Sequence, residues 1–338
     1  EANFTTAMPT VPTKESFSKV LNLSGPAELT NQAYTISSGK DINFTGKKIN
    51  GATIFVDGKC TMQFDETTQM SNTTIVLLSS ATLKYNGTGD MIPSGCTVYC
   101  TNPRNVFSAK NDIKIKGNLY ADFRDKKSDG SKDLITGLGA IKETTPAEKN
   151  KSITPTQNIT FGSGANVFID GSIRAINLQV ENGANVYAKE NLFNNDNNGN
   201  ATINGNLYIG GFIKTRTLDV NGYLKAVEAV KVTNAFNVHN GANVEASYIN
   251  VTNNTKDGDK VIAKGEATLS LNGTGKITIG NQNVITANNL VTDNASAGQI
   301  TLAGENAVAV IKAHKFTNNS NNSKIVAFAT PGTNSTFL

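Results

Sequence analysis

Four tyrosines recur next to apolar residues in a repeated sequence pattern, and they are the best candidates for a ligand-binding surface. They are Tyr120, Tyr187, Tyr208 and Tyr223. Exposed aromatic rings can stack on the apolar face of a sugar ring, although the chain has no Trp. The alternation of the flanking residues predicts that all four side chains point outward. They then either form a binding face or simply cover the fold.

The acidic residues offer no set of metal ligands at a recognisable spacing. Asp257-Gly-Asp259 indicates a turn, and Asp65 and Glu66 are neighbours that would point to opposite faces of a strand. Asn194–Gly199 resembles the start of a calcium-binding loop, but its twelfth position is Gly205 where a bidentate Glu is needed. In Asp125–Gly130 the third position is Lys127. No metal site and no cofactor is predicted.

The chain also lacks the motifs of nucleophilic catalysis and of phosphate binding. There is no G-x-S-x-G, G-x-G-x-x-G or Walker A sequence. His239 and His314 both fall at outward positions, where a solvated histidine is ordinary. Cys96 and Cys100 would lie about 13 Å apart on an extended strand, and Cys60 could lie beside one of them in a neighbouring coil. Three small buried cysteines are expected, and no catalytic residue is predicted.

Composition indicates an all-β protein with many tight turns. Of the 338 residues, 38% are hydrophobic and 17% charged, which argues against both global disorder and a membrane protein. Asn and Gly favour turns, and Thr favours strands. The net charge of +4 is spread along the chain, so nucleic-acid binding is not expected. No apolar run approaches the length of a transmembrane segment. The chain opens at Glu1, and we expect a leader to have been removed.

The central part of the chain repeats a unit of strand, turn and strand. Residues 159–169, 178–188 and 236–246 each place Gly-Ala-Asn between alternating apolar residues. Shorter copies occur at residues 113–121, 203–209 and 220–226. Glycines at 164, 183, 205, 222 and 241 are separated by 19, 22, 17 and 19 residues. A repeat of this length is typical of a solenoid, whereas hairpins of a sandwich would recur every 8 to 12 residues or so.

Stacking of these units predicts a continuous interior column of apolar residues, which comprises Val167, Val186, Leu207, Leu224 and Val244. One position earlier, an amide ladder is predicted from Asn166, Asn185, Asn206 and Asn243. The fold class predicted is therefore all-β, a single-stranded parallel β-helix (β-solenoid) with coils of about 19 residues.

On these turns and alternating positions the chain resembles the pectin-lyase-like right-handed parallel β-helix superfamily over roughly residues 30 to 330. A weaker resemblance is to bacterial polymerising β-helices. Many superfamily members are polysaccharide lyases or glycosidases, and others are adhesins. The resemblance implies the fold only, because the clustered Asp and Arg or Lys residues of the enzymes cannot be mapped onto this sequence.

Three regions are predicted along the chain. Residues 1–30 form an N-terminal extension, in which Phe17, Val20 and Leu21 have helical spacing and suggest a short capping helix. Residues 31–338 form the solenoid. It is interrupted at about residues 122–155 by a charged insertion at a corner, which has either a binding role or no role at all.

The function expected is that of a secreted or cell-surface, non-enzymatic solenoid. It would act as a spacer, an adhesion module, or a module that binds glycans or proteins. The partners left open are a polysaccharide, a surface protein and a second copy of the chain. The alternative is a β-helix carbohydrate-active enzyme, a polysaccharide lyase or a glycoside hydrolase, with acidic groups converging on an exposed face.

Overall fold

A computed structural model shows a parallel β-solenoid of about 11 turns with about 21 residues in each turn. It describes residues 2–14, 19–21, 28–37, 39–123, 157–194, 199–293, 300–303 and 307–319, together with the backbone of six short strands elsewhere. The chain divides into two compact units. Unit 1 comprises residues 1–175 and 183–189, and unit 2 comprises residues 176–182 and 190–338.

Unit 1 contains the first twenty strands and the twenty-second. They are β1 (Lys19–Val20), β2 (Glu28–Thr30), β3 (Ala33–Ile36), β4 (Asp41–Asn43), β5 (Lys48–Asn50), β6 (Thr53–Val56), β7 (Thr61–Phe64), β8 (Gln69–Ser71), β9 (Thr74–Leu77), β10 (Thr82–Tyr85), β11 (Thr97–Cys100), β12 (Val106–Ala109), β13 (Ile113–Ile115), β14 (Asn118–Phe123), β15 (Lys126–Lys127), β16 (Asp133–Leu134), β17 (Gly137–Leu138), β18 (Glu143–Thr144), β19 (Ile159–Phe161), β20 (Asn166–Ala175) and β22 (Asn185–Ala188).

Unit 2 contains the other strands. They are β21 (Leu178–Val180), β23 (Leu192–Asn194), β24 (Asn200–Ile203), β25 (Asn206–Ile209), β26 (Phe212–Val220), β27 (Tyr223–Val238), β28 (Asn243–Val251), β29 (Thr268–Asn272), β30 (Lys276–Ile279), β31 (Val284–Asp293), β32 (Ile300–Leu302), β33 (Val308–Asn319), β34 (Ala327–Ala329) and β35 (Thr336–Phe337).

The interior of unit 1 is built from parallel strands whose equivalent residues stack in register. The longest ladder runs through β3, β6, β9, β11, β14, β20 and β22. Its central inward column contains six fully buried residues on successive strands. They are Ile54, Ile75, Val98, Leu119, Val167 and Val186. A second ladder joins β2, β5 and β8, and a third joins β4, β7, β10 and β12. Successive coils in unit 1 thus bury one apolar residue above another.

Unit 2 repeats this arrangement with longer strands that continue round the corners. The predicted inward residues Leu207, Leu224 and Val244 are directly opposite one another and completely buried. Ile277 and Ile300 extend the same column. The prediction that these positions face inward is confirmed. The predicted coil length of about 19 residues is short of the observed 21 or so, because it was taken from the repeats with the shortest turns.

The amide ladder predicted from the asparagines is only partly present. In unit 1, Asn118, Asn166 and Asn185 are in register on neighbouring strands. In unit 2, Tyr223 lies between Asn206 and Asn243. The short repeat at 220–226 carries Tyr where the others carry Asn, so the column of amides is interrupted there.

The predicted capping helix is not found. Lys19–Val20 forms β1, which pairs in parallel with β3, and the Leu21 amide donates to the Thr35 carbonyl at 2.8 Å. The edge of β3 offers backbone partners to this segment, and the ladder overrides the helical spacing of its apolar residues. Phe17 lies outside the described residues. No helix occurs elsewhere in the described part of the chain.

The charged insertion contains four short strands whose backbone is described. β15, β16 and β18 form a small antiparallel sheet, unlike the parallel ladders around it. β17 pairs in parallel with Ser172–Ile173 of β20. The insertion therefore contributes one short parallel rung next to β20.

Candidate functional site

A groove of about 390 Å³ on the outer surface of unit 2 is a candidate binding site. Its floor includes small residues that follow the inward positions of successive coils, among them Ala226, Ala246, Gly280 and Ala303. The volume falls within the range of about 300–1,000 Å³ that is common for small-molecule sites.

One wall of the groove is a register column of polar residues. Lys225, Glu245 and Thr278 lie directly opposite one another on β27, β28 and β30. Tyr208 precedes Lys225 in the same column. The groove is also lined by Val227 and by Ser247, whose hydroxyl donates to the Val227 carbonyl at 2.7 Å. The groove thus offers an apolar contact, hydroxyl groups and one charge of each sign.

The charged groups of this wall are tied to two of the predicted tyrosines. The Tyr223 hydroxyl donates to Glu245 Oε2 at 3.1 Å, and Lys225 Nζ lies 3.6 Å from the same oxygen. Lys225 Nζ also lies 5.9 Å from the centre of the Tyr208 ring. Burial, and then the charge of Glu245, raise the pKa of Tyr223 well above its usual value. Tyr223 therefore stays a hydrogen-bond donor at neutral pH and orients the carboxylate.

Such a wall suits a neutral polar ligand with many hydroxyl groups. A carboxylate with remaining lone pairs and an ammonium group can both bond to hydroxyls. Val227, whose side chain is among the more exposed large apolar groups described, can contact the apolar face of a sugar ring. Among the described residues that line the groove, Glu245 is the single acidic side chain, and no histidine or cysteine occurs.

The other two predicted tyrosines lie in unit 1, in a different setting. Tyr120 is almost completely buried, and Tyr187 is half-buried beside Phe168. Both face outward from the solenoid as predicted, but the N-terminal segment of the chain packs over them. Tyr120 and Tyr187 are thus covered within unit 1.

The two histidines make ordinary surface contacts. His239 Nε2 lies 2.9 Å from Asp219 Oδ1, which also accepts a bond from Asn237 Nδ2 at 2.9 Å. His314 Nδ1 lies 3.1 Å from the Ile262 carbonyl. His239 and Asp219 are both about one-third exposed. In the described part of the chain, neither histidine is hydrogen-bonded to a nucleophilic side chain.

The acidic motifs that the sequence singled out are structural where they are described. Lys231 Nζ donates to Asp257 Oδ2 at 3.1 Å, and this contact is the main reason that the pKa of Asp257 is lowered. The backbone amide of Asp259 donates to the Lys256 carbonyl and so closes the turn. Asp65 accepts bonds from Thr67 and Thr45. Residues 195–198 of the calcium-like loop and most of Asp125–Gly130 lie outside the described residues.

One pair of carboxylates was not recognised from sequence. Asp122 at the end of β14 and Asp170 on β20 are direct partners in the parallel ladder, and both are half-buried. Side chains at partnered positions of neighbouring strands lie about 5 Å apart at their bases. The insertion separates the two residues by 48 positions (170 − 122), so no local motif in the sequence could reveal the pair.

The three cysteines are buried and form no disulfide. Burial raises the pKa of the Cys96 and Cys100 thiols, so both are protonated and unreactive at neutral pH. The prediction of three small buried residues is confirmed.

Across the part of the chain that is described, no helix is long and apolar enough to cross a membrane. No group of three or more His, Cys, Asp or Glu side chains comes together there as a metal site would require. Comparison with known proteins gives no match to a protein-family model, to a curated protein or to a solved structure.

Proposed function

We propose that the protein is a secreted or cell-surface glycan-binding solenoid, in which the unit 2 groove holds part of a polysaccharide. The observation that carries the proposal is the groove itself, where Lys225, Glu245 and Thr278 stand in one column beside Tyr223. Outward side chains of a solenoid repeat at the spacing of its coils. A long, regular polymer can therefore contact several coils at once.

Two features support a binding role over a catalytic one at this site. Glu245 is bonded to Tyr223 and faces Lys225, so its charge is compensated. The side chains that line the groove include Glu245 as their single carboxylate, whereas glycoside hydrolysis ordinarily needs two flanking the bond. The resemblance to pectin-lyase-like β-helices is consistent with a carbohydrate ligand, and membership of that superfamily is part of the proposal.

The alternative function is a carbohydrate-active enzyme of the β-helix type. Asp122 and Asp170 favour it, because partnered carboxylates on neighbouring strands can approach the separation of about 5–5.5 Å seen in retaining glycosidases. This second site lies in unit 1.

The test is a panel of polysaccharides, in which binding and release of shorter products are measured together, with and without calcium. A glycan-binding module should retain one class of polymer without cleaving it, and Glu245→Gln and Lys225→Ala should each weaken binding about tenfold. Lys231→Ala is the matched control, since Lys231 lies on the same strand, is equally exposed and also pairs with a carboxylate.

Cleavage that disappears in Asp170→Asn would replace the binding proposal by the enzymatic one. If Lys231→Ala weakens binding as much as Lys225→Ala, the groove is not the binding site. A panel with neither binding nor cleavage would contradict both functions.

A further inference from the structure

The outer surface of unit 1 carries an aromatic ladder that the chain's own N-terminal segment covers. This outer aromatic face is defined by Phe55, Val76, Tyr99, Tyr120, Phe168 and Tyr187. The six residues are successive partners in the register of β6, β9, β11, β14, β20 and β22. Five of them are buried although they point away from the solenoid interior, which requires a cover.

The cover is the extended segment of residues 4–14, which belongs to no strand. Met8 and Val11 pack against the outer aromatic face. The ring of Phe4 lies 6.2 Å from that of Tyr187. The contacts therefore follow the ladder across the strands from one coil to the next.

Polar contacts hold both ends of the segment. Thr5 Oγ1 donates to Asn166 Oδ1 at 3.2 Å, and Asn166 Nδ2 lies 2.9 Å from the same hydroxyl. At the other end, Lys14 Nζ donates to Asp57 Oδ2 at 2.9 Å and to Oδ1 at 3.2 Å. The segment thus has a fixed direction and register on the face.

Beyond Phe4, the contacts of the segment recur at every third position. Met8 and Val11 pack against the face, while Thr5 bonds Asn166 in β20 and Lys14 bonds Asp57 directly after β6. Thr10 and Thr13, which lie between contacts, are exposed. Three residues per turn is the period of polyproline II. Met8 precedes Pro9 and Val11 precedes Pro12, and proline restricts both itself and the preceding residue to that region of conformation.

We propose that the outer aromatic face is a recognition site for a polyproline II peptide, which the chain's own N-terminal segment occupies. The peptide it takes has a hydroxyl residue, two apolar residues each followed by proline, and a basic residue, all at spacings of three. Aromatic grooves recognise proline-containing peptides in this way because the peptide is already extended and loses little entropy. The carboxylate of Asp57 favours a basic residue at the end of the peptide that lies beside it.

Occupation by the tethered segment does not require tight binding. A short tether gives an effective concentration in the millimolar range, so even a weakly binding segment covers the face. A free peptide of the same pattern therefore competes only where the tethered segment is removed or weakened. The site lies in unit 1.

The first test uses a variant that lacks residues 2–14, together with a synthetic peptide of those residues. The chain contains no Trp, so Phe4→Trp in the peptide gives a fluorescence signal of its own beside Tyr187. We expect one peptide to bind per chain at concentrations up to about 1 mM. The substitutions Met8→Ser and Val11→Ser in the peptide should together weaken its binding at least about tenfold.

The matched control peptide carries Thr10→Ser and Thr13→Ser, at exposed positions, and should bind as the parent does. Asp57→Asn in the shortened protein should reduce affinity by about twofold to fivefold, as expected of an exposed ion pair. If the shortened protein is folded and binds no peptide at 1 mM or so, or binds the Met8→Ser, Val11→Ser peptide equally well, the proposal is wrong.

A second variant keeps the whole chain in case the shortened one fails to fold. The 338-residue chain with Met8→Ser and Val11→Ser should bind the labelled peptide at least about tenfold more tightly than the unsubstituted chain does, because its own segment competes less. Equal binding by these two chains would show that the segment does not occupy the site that the peptide uses.

Discussion

At the scale of single residues, glycines serve the solenoid in two different ways. Gly183 has a φ of +88°, in the left-handed region that favours glycine. Gly222 has no such φ, but a Cβ there would meet the carbonyl oxygens of Gly205 and Asn204. The long repeats therefore need glycine for the direction of the turn, and the shortened repeat needs it for close stacking of coils.

Replacing Gly183 by Val should lower the free energy of unfolding by at least about 1 kcal/mol, because a β-branched residue is strained at positive φ. A Cβ there would also lie 2.6 Å from Ser163 Oγ. Gly241→Val is the control for backbone strain alone, since its φ is +81° and nothing lies within 4 Å of its Cβ. A melting temperature that Gly183→Val leaves unchanged would contradict the strained corner.

The candidate site could be predicted only in part from single residues. The sequence indicated Tyr208 and Tyr223 as outward residues, because alternation with buried Leu207 and Leu224 sets their direction. It could not reveal that Glu245 would bond Tyr223, since that contact depends on the register between coils. It also could not show that Tyr120 is covered, because residues 4–14 lack the alternation of a strand.

At the scale of elements, corners are fixed by buried polar side chains. Residues 252–267 form a long connection between β28 and β29, and Asn288 holds it in place. Asn288 is completely buried where β31 turns from pairing with β28 to pairing with β29. Its Oδ1 accepts from the Asn253 amide at 3.0 Å, and its Nδ2 donates to the Ala263 carbonyl at 2.8 Å.

Asn288→Ala should lower the free energy of unfolding by about 2 kcal/mol, since buried backbone groups of the connection lose their partners. The connection should also open more often, so trypsin should cleave faster at Lys256, Lys260 and Lys264. Asn237→Ala serves as control, because Asn237 makes one half-buried side-chain bond on a strand face. Unchanged cleavage in Asn288→Ala would mean that other contacts hold the connection.

At the scale of the whole molecule, the regular repeats were predictable and the irregular segments were not. Val167, Val186 and Val244 were placed correctly because identical turns flank them. The strand Lys19–Val20 was predicted as part of a helix, because a strand of two residues is too short to show alternating apolar and polar residues. Within the charged insertion, Gly137–Leu138 pairs with β20, and two residues without alternation gave no sign of this pairing in the sequence.

This pairing changes what removal of the insertion should do. If residues 122–155 were a simple corner loop, deletion of residues 124–152 with a short Gly/Asn linker would cost little, because loop closure depends weakly on length. Instead Ser172 and Ile173 should lose their backbone partners, and both side chains are almost completely buried in the intact protein. A buried backbone group left without its partner costs about 1–3 kcal/mol. We expect the deletion variant to keep its β-sheet circular dichroism but to melt about 5 °C lower or more, with faster amide hydrogen exchange at residues 172–175.

Exchange at Val98 and Leu119, whose partners are retained, should not change. A variant that melts and exchanges as the parent does would show that β17 adds nothing to the ladder.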